Sequence, residues 1–348
     1  MNELEKSRLK INEIDKKMIK LFKERMEEVS KVVNFKVHNG LQVLDLKREK
    51  EIISRNLTEL NNPIYSPYYL DFFNGVLKSS KDYQAFVLNK TYRFALLGKS
   101  ISYSYSPLFH NLFYKKNNIN ANYTILQISE TELEYTLSLL KLGKYHGYNV
   151  TIPYKKTVMK YLDIIDEKAK KIGAVNTVVC RNNKLIGYNT DYYGFLELIN
   201  RNNVDILNKN VYILGTGGAA KSIETVILDL RGKPTFVSRT ISSVDTITYK
   251  DFYDKKDIDV IINTTPCGTY PNVLDTPLKK EFDFSNKVVI DIIYNPKQTA
   301  LLKNSGSQIN GLYMLYAQAV KADTIFLDKD FCYDESLFLE LERVVNNE

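Results

Sequence analysis

The sequence predicts a multidomain protein in which an all-α segment of three helices, residues 1–88, is followed by an α/β region that begins near residue 92. Three observations carry this expectation. Apolar residues in the first segment recur at the spacing of one helix face, strand-like and helix-like segments alternate after Thr91, and 348 residues exceed what one hydrophobic core usually organises.

Residues 3 to about 36 contain neither Pro nor Gly. Leu4, Ile11, Ile14, Met18, Leu21, Phe22, Val29 and Val32 fall at roughly helical intervals, which predicts one long helix. Asn39-Gly40 stops it. Asp45 opens a second helix through Leu60, and Asn61-Asn62-Pro63 separates that helix from a third over about Pro67 to Leu88.

In the α/β region Tyr92 to Gly98 reads as a strand, as does Tyr148-Asn149-Val150-Thr151-Ile152-Pro153. Val211-Tyr212-Ile213-Leu214, Val260-Ile261-Ile262 and Val288-Val289-Ile290 are continuous apolar runs, expected of buried parallel strands. Gly215-Thr216-Gly217-Gly218-Ala219-Ala220 joins the first of these runs to an apolar helical stretch, Ile223 to Leu230. Its G-x-G-x-x-A pattern permits a tight turn and the close approach of a pyrophosphate to a helix N-terminus, the arrangement of a Rossmann-type dinucleotide site. The next strand, Thr235-Phe236-Val237, ends at Ser238-Arg239-Thr240. Arg239 stands 24 residues after Gly215, where an NAD site usually has an acid, and so favours the 2′-phosphate of NADP.

Composition narrows the function class. Hydrophobic residues at 44% and charged residues at 26% are those of an ordered globular protein and exclude a disordered chain. The net charge of +7 comes from lysines that alternate with acids along helix faces, without the aromatic-laced basic stripe of a nucleic-acid binder. No stretch approaches about 18 consecutive apolar residues, and the first thirty positions are dense in Lys and Glu, so neither a membrane span nor a signal peptide is expected and the expected compartment is the cytoplasm. Cys180, Cys267 and Cys332 lie far apart, and His38, His110 and His146 form no ligand-like spacing with them. No metal is expected.

On an ideal helix, at about 100° per residue, Arg25 and Lys36 project within about 20° of each other. Asp45, Arg48 and Glu49 share a face of the second helix, and Ser80 and Gln84 a face of the third. Taken singly, each cluster reads as a solvated face. Taken together with Arg8, the set in this order and spacing resembles the active site of the all-helical chorismate mutases over residues 1–88. The resemblance implies a Claisen rearrangement of chorismate to prephenate, which needs no nucleophile. It places Arg8, Arg25 and Arg48 on the substrate carboxylates, with Ser80 also at a carboxylate. Lys36 and Gln84 would serve as donors to the ether oxygen where charge develops, and Asp45 and Glu49 would meet the hydroxyl. Arg8 and Arg25 are seventeen residues apart, about 25 Å along one helix and about 100° around it, so one small substrate cannot touch both. If both bind chorismate, Arg8 comes from a second chain and the helical segment forms a symmetric homodimer.

The remaining motifs resemble shikimate dehydrogenase from residue 92 to about 345. Ser104-Tyr105-Ser106-Pro107 matches the S-x-S-P clamp, Asn149 to Lys155 matches N-V-T-x-P-x-K, and Gly173 to Thr177 and Gly187 to Asp191 match two further signatures. The resemblance implies reversible, NADP-dependent interconversion of 3-dehydroshikimate and shikimate. Lys155 would act at the ketone, with Asp191 orienting it. Ser104, Ser106, Thr151, Asn176, Tyr294 and Gln318 would bind the substrate. Gly215, Thr216, Gly217, Gly218, Ala219, Ser238, Arg239, Thr240, Asn263 and Thr264 would bind the cofactor. The implied domains are 1–88; 92–195, a substrate-binding domain completed by C-terminal helices over about 311–348; and 196–310 for the cofactor. Two positions depart from the family pattern. Ile241-Ser242-Ser243 replaces an Arg-rich segment, so phosphate recognition would rest largely on Arg239, and Tyr313 replaces a glycine expected near the nicotinamide.

Two other readings stay open. Residues 1–88 could serve as a ligand-sensing dimerisation module on an active dehydrogenase, although the complete charged set disfavours it. The second domain could be an NAD-dependent quinate enzyme, against which Arg239 and the two clamp serines argue.

Overall fold

The computed structural model describes residues 2–38, 46–88, 91–102, 104–241 and 245–346, and the chain divides into two units, 1–91 and 92–348. In the first unit α1 (Glu3–His38), α2 (Leu46–Leu60) and α3 (Ser66–Leu88) are the elements among the described residues, and α3 packs against both others. Asn2 and Glu5 cap the start of α1 reciprocally: the Asn2 side chain accepts from the Glu5 amide at 2.8 Å and the Glu5 carboxylate from the Asn2 amide at 3.0 Å. Asn62 turns the chain into α3 by accepting the amides of Ile64 and Tyr65.

The apolar stripe anticipated along α1 is largely exposed. Ile11, Ile14, Met18, Leu21 and Phe22 are exposed, and Val33 and Leu77 are the buried apolar side chains of this unit among the described residues. Length explains it. At 1.5 Å per residue α1 spans about 54 Å and α3 about 35 Å, so the partner helix cannot cover the whole stripe.

In the second unit β1 (Tyr92–Gly98), α4 (Ser106–Lys116), β2 (Ala121–Gln127), α5 (Leu133–Lys141), β3 (Gly147–Val150), α6 (Tyr154–Thr157), β4 (Ile164–Ile165), α7 (Glu167–Ile172), β5 (Thr177–Arg181) and β6 (Lys184–Tyr188) build the first sheet, with strand order β2-β1-β3-β5-β6-β4. The expected parallel pairing holds for β1 with β2 and β3, but β5 runs antiparallel to β3 and β6. The reversal lies in Asn182-Asn183, whose φ values of +51° and +61° make the two-residue turn that closes a hairpin. A second difference lies after β3. The strand expected through Pro153 stops at Val150: Thr151 gives the last ladder bond, to the Leu97 carbonyl, and the chain then turns, the Tyr154 amide donating to the Thr151 carbonyl at 2.9 Å, while Pro153, which has no amide to give a ladder, leads into α6.

α8 (Asp191–Arg201) leads to a second sheet built from β7 (Asn210–Leu214), α9 (Gly218–Asp229), β8 (Lys233–Ser238), β9 (Thr246–Thr248), α10 (Tyr249–Tyr253), β10 (Val260–Asn263), β11 (Val288–Asp291), α11 (Ala300–Ser305) and β12 (Ile309–Asn310). Its strands are all parallel, in the order β12-β11-β10-β7-β8-β9. That order reverses between β7 and β10, where the loops at the strand ends part and leave a crevice. Ile213, Ile223, Phe236 and Ile262 fill one face and Leu214, Val237, Phe252 and Ile261 the other. Burial on both faces accounts for the unbroken apolar runs in the sequence.

α12 (Leu312–Leu327) and α13 (Glu335–Val345) return to the first sheet, where Phe326, Tyr316, Leu337 and Leu341 pack with Phe94, Phe109 and Phe113. Among the described residues no helix is long and apolar enough to cross a membrane.

Candidate active site

A cavity of about 260 Å³ opens in the second unit, walled by residues of β1 and β3 in the first sheet, of α4, α6, α8, α9 and α12, and of the loops that follow β11 and β12. Lys155 reaches it from the first turn of α6, and its backbone is tied by the Val175 amide, which donates to the Lys155 carbonyl at 2.8 Å. Asp191 begins α8. The Lys155 ammonium donates to Asp191 Oδ2 at 2.6 Å, and both side chains are largely buried, at 19% and 12% exposed. Their partial withdrawal from water makes the pair stronger than a surface ion pair, and both residues line the cavity.

Gly194 brings α8 close to α12. A side chain there would meet the Met314 carbonyl at 2.6 Å and Gln318 Cβ at 2.8 Å, so only glycine allows the crossing that sets Gln318 in the same cavity as Asp191. Ser104 and Ser106 hydrogen-bond each other at 3.1 Å at the start of α4, where Pro107 is accommodated in the first turn. Thr151, Asn176 and Tyr294 complete the polar lining, and Leu96, Ile101, Val150 and Met314 supply an apolar wall. The residues expected from the sequence at the substrate are thus gathered around one small polar cavity. Asn149, Met314 and Leu315 also line it, and of these only Asn149 was marked in the sequence, as the first residue of the N-V-T-x-P-x-K match.

A second cavity, of about 810 Å³, lies in the crevice between β7 and β10. Gly215 turns the chain there with φ +101°, and a side chain on it would meet the Thr264 hydroxyl and Thr265 methyl at 3.0 Å. Gly215, Thr216 and Gly217 line the cavity at the N-terminus of α9, with Ser238, Arg239 and Thr264 on its other walls. A phosphorylated dinucleotide fits this donor set. The bare backbone and helix N-terminus suit a pyrophosphate, and the guanidinium of Arg239 suits a further phosphate. Ala219 lines the first cavity instead, and Gly218 lies 3.8 Å from Lys155 Cδ when given a Cβ, so the helix N-terminus adjoins the lysine.

Three expected cofactor or nicotinamide residues are placed differently. Asn263 is fully buried. It donates to Asp291 at 3.0 Å and accepts from the Thr265 amide and hydroxyl at 3.0 and 2.7 Å, so it shapes the loop from behind and does not reach the cavity. Burial pushes the Asp291 carboxyl up to about 6, against the hydrogen bonds from Thr299, Ile293 and Asn263 that favour its charged form. Thr240 is off the cavity wall, its amide donating to the Ser238 hydroxyl at 3.4 Å. The ring of Tyr313 lies against Phe338 and under the Arg201 guanidinium, away from both cavities. Tyr249, Tyr253 and Tyr270 also line the second cavity, with no spacing in the sequence to announce them.

In the helical unit, Arg25 on α1 donates to Ser80 on α3, and Lys81 on α3 pairs with Glu49 on α2 at 3.2 Å. Arg48 lies 3.8 Å from Glu51. Gln84 Oε1 is buried with no partner among the described residues. Polar pairs therefore join α3 to both other helices. Arg8 is exposed and far along α1 from Arg25. Asp45 and the side chain of Lys36 lie outside the described residues. Lys81 was not anticipated, since nothing in the spacing of one helix reveals which carboxylate on another it meets.

Comparison with known proteins agrees with both regions. The family model for the shikimate dehydrogenase substrate binding domain matches residues 96–178, and that for chorismate mutase type II matches residues 7–85. A protein of Clostridium beijerinckii named shikimate dehydrogenase (NADP(+)) is 42% identical over 267 residues, covering 73% of this chain and 98% of its own. Shikimate dehydrogenase 1 of Peptoclostridium difficile superposes with a TM-score of 0.64 at 38% identity, over 74% of this chain and 98% of the other. A chorismate mutase/shikimate 5-dehydrogenase fusion protein from Clostridium acetobutylicum does so with a TM-score of 0.70 at 34% identity, over 74% and 98%.

Proposed function

Because the chain belongs to the shikimate dehydrogenase family and its N-terminal unit matches chorismate mutase type II, we propose a bifunctional enzyme of aromatic biosynthesis. One activity is the reversible reduction of 3-dehydroshikimate to shikimate with NADPH; the other is the rearrangement of chorismate to prephenate. The dehydrogenase reading rests on the Lys155–Asp191 pair in a polar cavity beside the N-terminus of α9.

In this reading the Ser104 and Ser106 hydroxyls hold the substrate carboxylate, while Thr151, Asn176, Tyr294 and Gln318 meet the ring hydroxyls and fix the ketone beside Lys155. Gly215, Thr216 and Gly217 hold the pyrophosphate with Gly218 and Ala219 at the head of α9. Ser238 and Arg239 meet the 2′-phosphate, with Thr240 behind them holding the Ser238 hydroxyl, and Thr264 lies toward the nicotinamide, backed by Asn263. When bound, NADPH supplies the hydride. Lys155 polarises the ketone and donates the proton its oxygen needs, a role typically worth about 10² to 10⁴ in rate. Asp191 orients that ammonium and accepts from a neighbouring substrate hydroxyl. The substrate-binding part is assigned to 92–195 with 311–348, and the cofactor part to 196–310.

In the helical unit Arg25, Arg48 and Ser80 take the carboxylates of chorismate, Lys36 and Gln84 donate to the ether oxygen, and Asp45 and Glu49 meet the hydroxyl. Arg8 completes the site from a second chain. The exposed apolar face of α1 supports a homodimer through this unit. The same face also suits a purely regulatory dimerisation module, which would not turn over chorismate. A cytoplasmic location fits the NADP reading and the three free cysteines.

Two assays on the purified protein test the proposal: NADPH formation from shikimate, and loss of chorismate absorbance. Absence of the first removes the dehydrogenase, and absence of the second leaves the helical unit as the regulatory module.

A further inference from the structure

We infer that Tyr123, which touches neither cavity, is a positioning residue for the Lys155–Asp191 pair, acting through an unbroken file of hydrogen bonds that all point toward the Asp191 carboxylate. The inference rests on the dehydrogenase reading above. Tyr123 lies in the middle of β2 and is 1% exposed. Its hydroxyl donates to Asn149 Oδ1 at 2.7 Å, Asn149 Nδ2 donates to the Thr177 hydroxyl at 3.0 Å, Thr177 donates to Asn176 Oδ1 at 3.0 Å, and Asn176 Nδ2 donates to Asp191 Oδ1 at 2.9 Å.

Two backbone groups fix the direction of every bond. Asn149 Nδ2 also faces the Asn176 carbonyl at 3.2 Å, and a carbonyl only accepts, so the nitrogen of Asn149 must be there and its oxygen must face Tyr123. Tyr123 is then obliged to donate. Likewise the Thr190 amide reaches Asn176 Oδ1 at 2.7 Å, and an amide only donates, so the nitrogen of Asn176 must face Asp191. Neither amide can flip without breaking a bond to the backbone, and the Thr177 hydroxyl between them accepts from one and donates to the other. Aligned bonds polarise one another, so a donor at the far end strengthens the last bond to Asp191.

The ring of Tyr123 is held for this task. It stacks on His110 at 4.0 Å and 8°, and His110 Nδ1 bonds both oxygens of the buried Asp323 at 3.0 and 2.9 Å. Tyr114 donates to Asp323 at 2.7 Å, which fixes the carboxylate in turn. Burial, with Asp323 second, holds the Tyr123 phenol well above its ordinary range, so the hydroxyl keeps the proton it donates.

The test compares Tyr123→Phe with Tyr148→Phe in the full-length protein. Tyr148 precedes Asn149 on β3 and its buried hydroxyl has no partner among the described residues, so its loss is the matched control. Tyr123→Phe keeps the stacked ring and is expected to lower kcat for shikimate oxidation about tenfold, with the NADP dissociation constant, read by fluorescence titration, unchanged. Tyr148→Phe should stay within about twofold of wild type. In an Asn149→Ala background the Tyr123→Phe loss should disappear, because the file is already cut. Unchanged kcat in Tyr123→Phe, a lower melting temperature with normal turnover, or a full additional loss in the Asn149→Ala background each overturn the inference. Should Tyr123→Phe fail to fold, Thr177→Val cuts the file two bonds further on and must show the same loss in kcat; normal turnover there overturns it equally. Wild-type protein that does not oxidise shikimate would defeat the dehydrogenase reading itself, whereas active wild type with an indifferent Tyr123→Phe defeats this inference alone.

Discussion

In the α/β unit Ile213, Ile223, Val226 and Ile262 are fully buried, because each face of the second sheet is covered by helices of the same chain. In the helical unit Ile19 is 70% exposed, Leu21 62% and Phe22 46%, because α1 outruns its partners. Both units carry a cluster of polar side chains, yet the clusters differ in the same way as the cores. Lys155, Asp191, Asn176 and Gln318 converge on one cavity within one chain, whereas Arg8 stands far from Arg25 along the exposed part of α1. A unit that closes its core alone can complete its site alone. A unit that leaves an apolar face open leaves room for a second chain to supply what is missing.

The most forceful attempt to break this contrast uses the two distant arginines. Arg8→Ala and Arg25→Ala proteins are each expected to lose mutase activity by about 10³-fold or more, since each removes the charge-assisted contact proposed for a substrate carboxylate. Unfolded together and refolded, they should form heterodimers with one intact site and recover about a quarter of wild-type activity for random pairing. Verified heterodimers without recovery would return both sites to single chains and dissolve the contrast.

On the other side, Lys155→Ala should lower shikimate oxidation by at least about 10²-fold while NADP binding and chorismate turnover are retained. Dehydrogenase turnover within a fewfold of wild type would remove Lys155 from the chemistry. A milder probe is Arg239→Ala, expected to raise the Michaelis constant for NADP by about tenfold and that for NAD far less, because only NADP offers the phosphate that a guanidinium grips. Equal changes for both cofactors would detach Arg239 from the 2′-phosphate.

The gentlest probe leaves turnover aside and reads the stability of the closed core. Asp291 is an acid whose folded value, about 6, lies above its ordinary 3.8. The folded state therefore holds the proton more tightly than the unfolded one between these limits, and stability falls as pH rises through about 4 to 6. Asp291→Asn should flatten that slope in melting temperatures measured across the window. A wild-type curve that rises instead would show the sign of the burial effect to be wrong.

Much of this was legible in the residues. The long proline-free run announced α1, the continuous apolar runs announced β7, β10 and β11, and the glycine turn announced the crevice, because each signal is a spacing within one element. The strand expected through Pro153 ended early because the chain turns after its last rung to Leu97, the Tyr154 amide bonding back to the Thr151 carbonyl in place of a further ladder bond. The hairpin at Asn182-Asn183 was legible in principle, since paired asparagines tolerate left-handed backbone, but the alternation of strands and helices pointed to parallel pairing throughout.

The sequence by itself determined the order of elements, the faces they bury, and the chemical types gathered in each motif, since a period of 3.6 or 2 residues is enforced by backbone geometry alone. The tertiary structure decided which motifs meet. Asn263 belongs to a motif yet turns inward to Asp291, while Tyr123 belongs to none and ends a file that leads to Asp191. Contacts of that kind depend on close crossings such as that of α8 over α12 at Gly194, where the distance between backbones is set by packing in three dimensions and leaves no periodic mark along the chain.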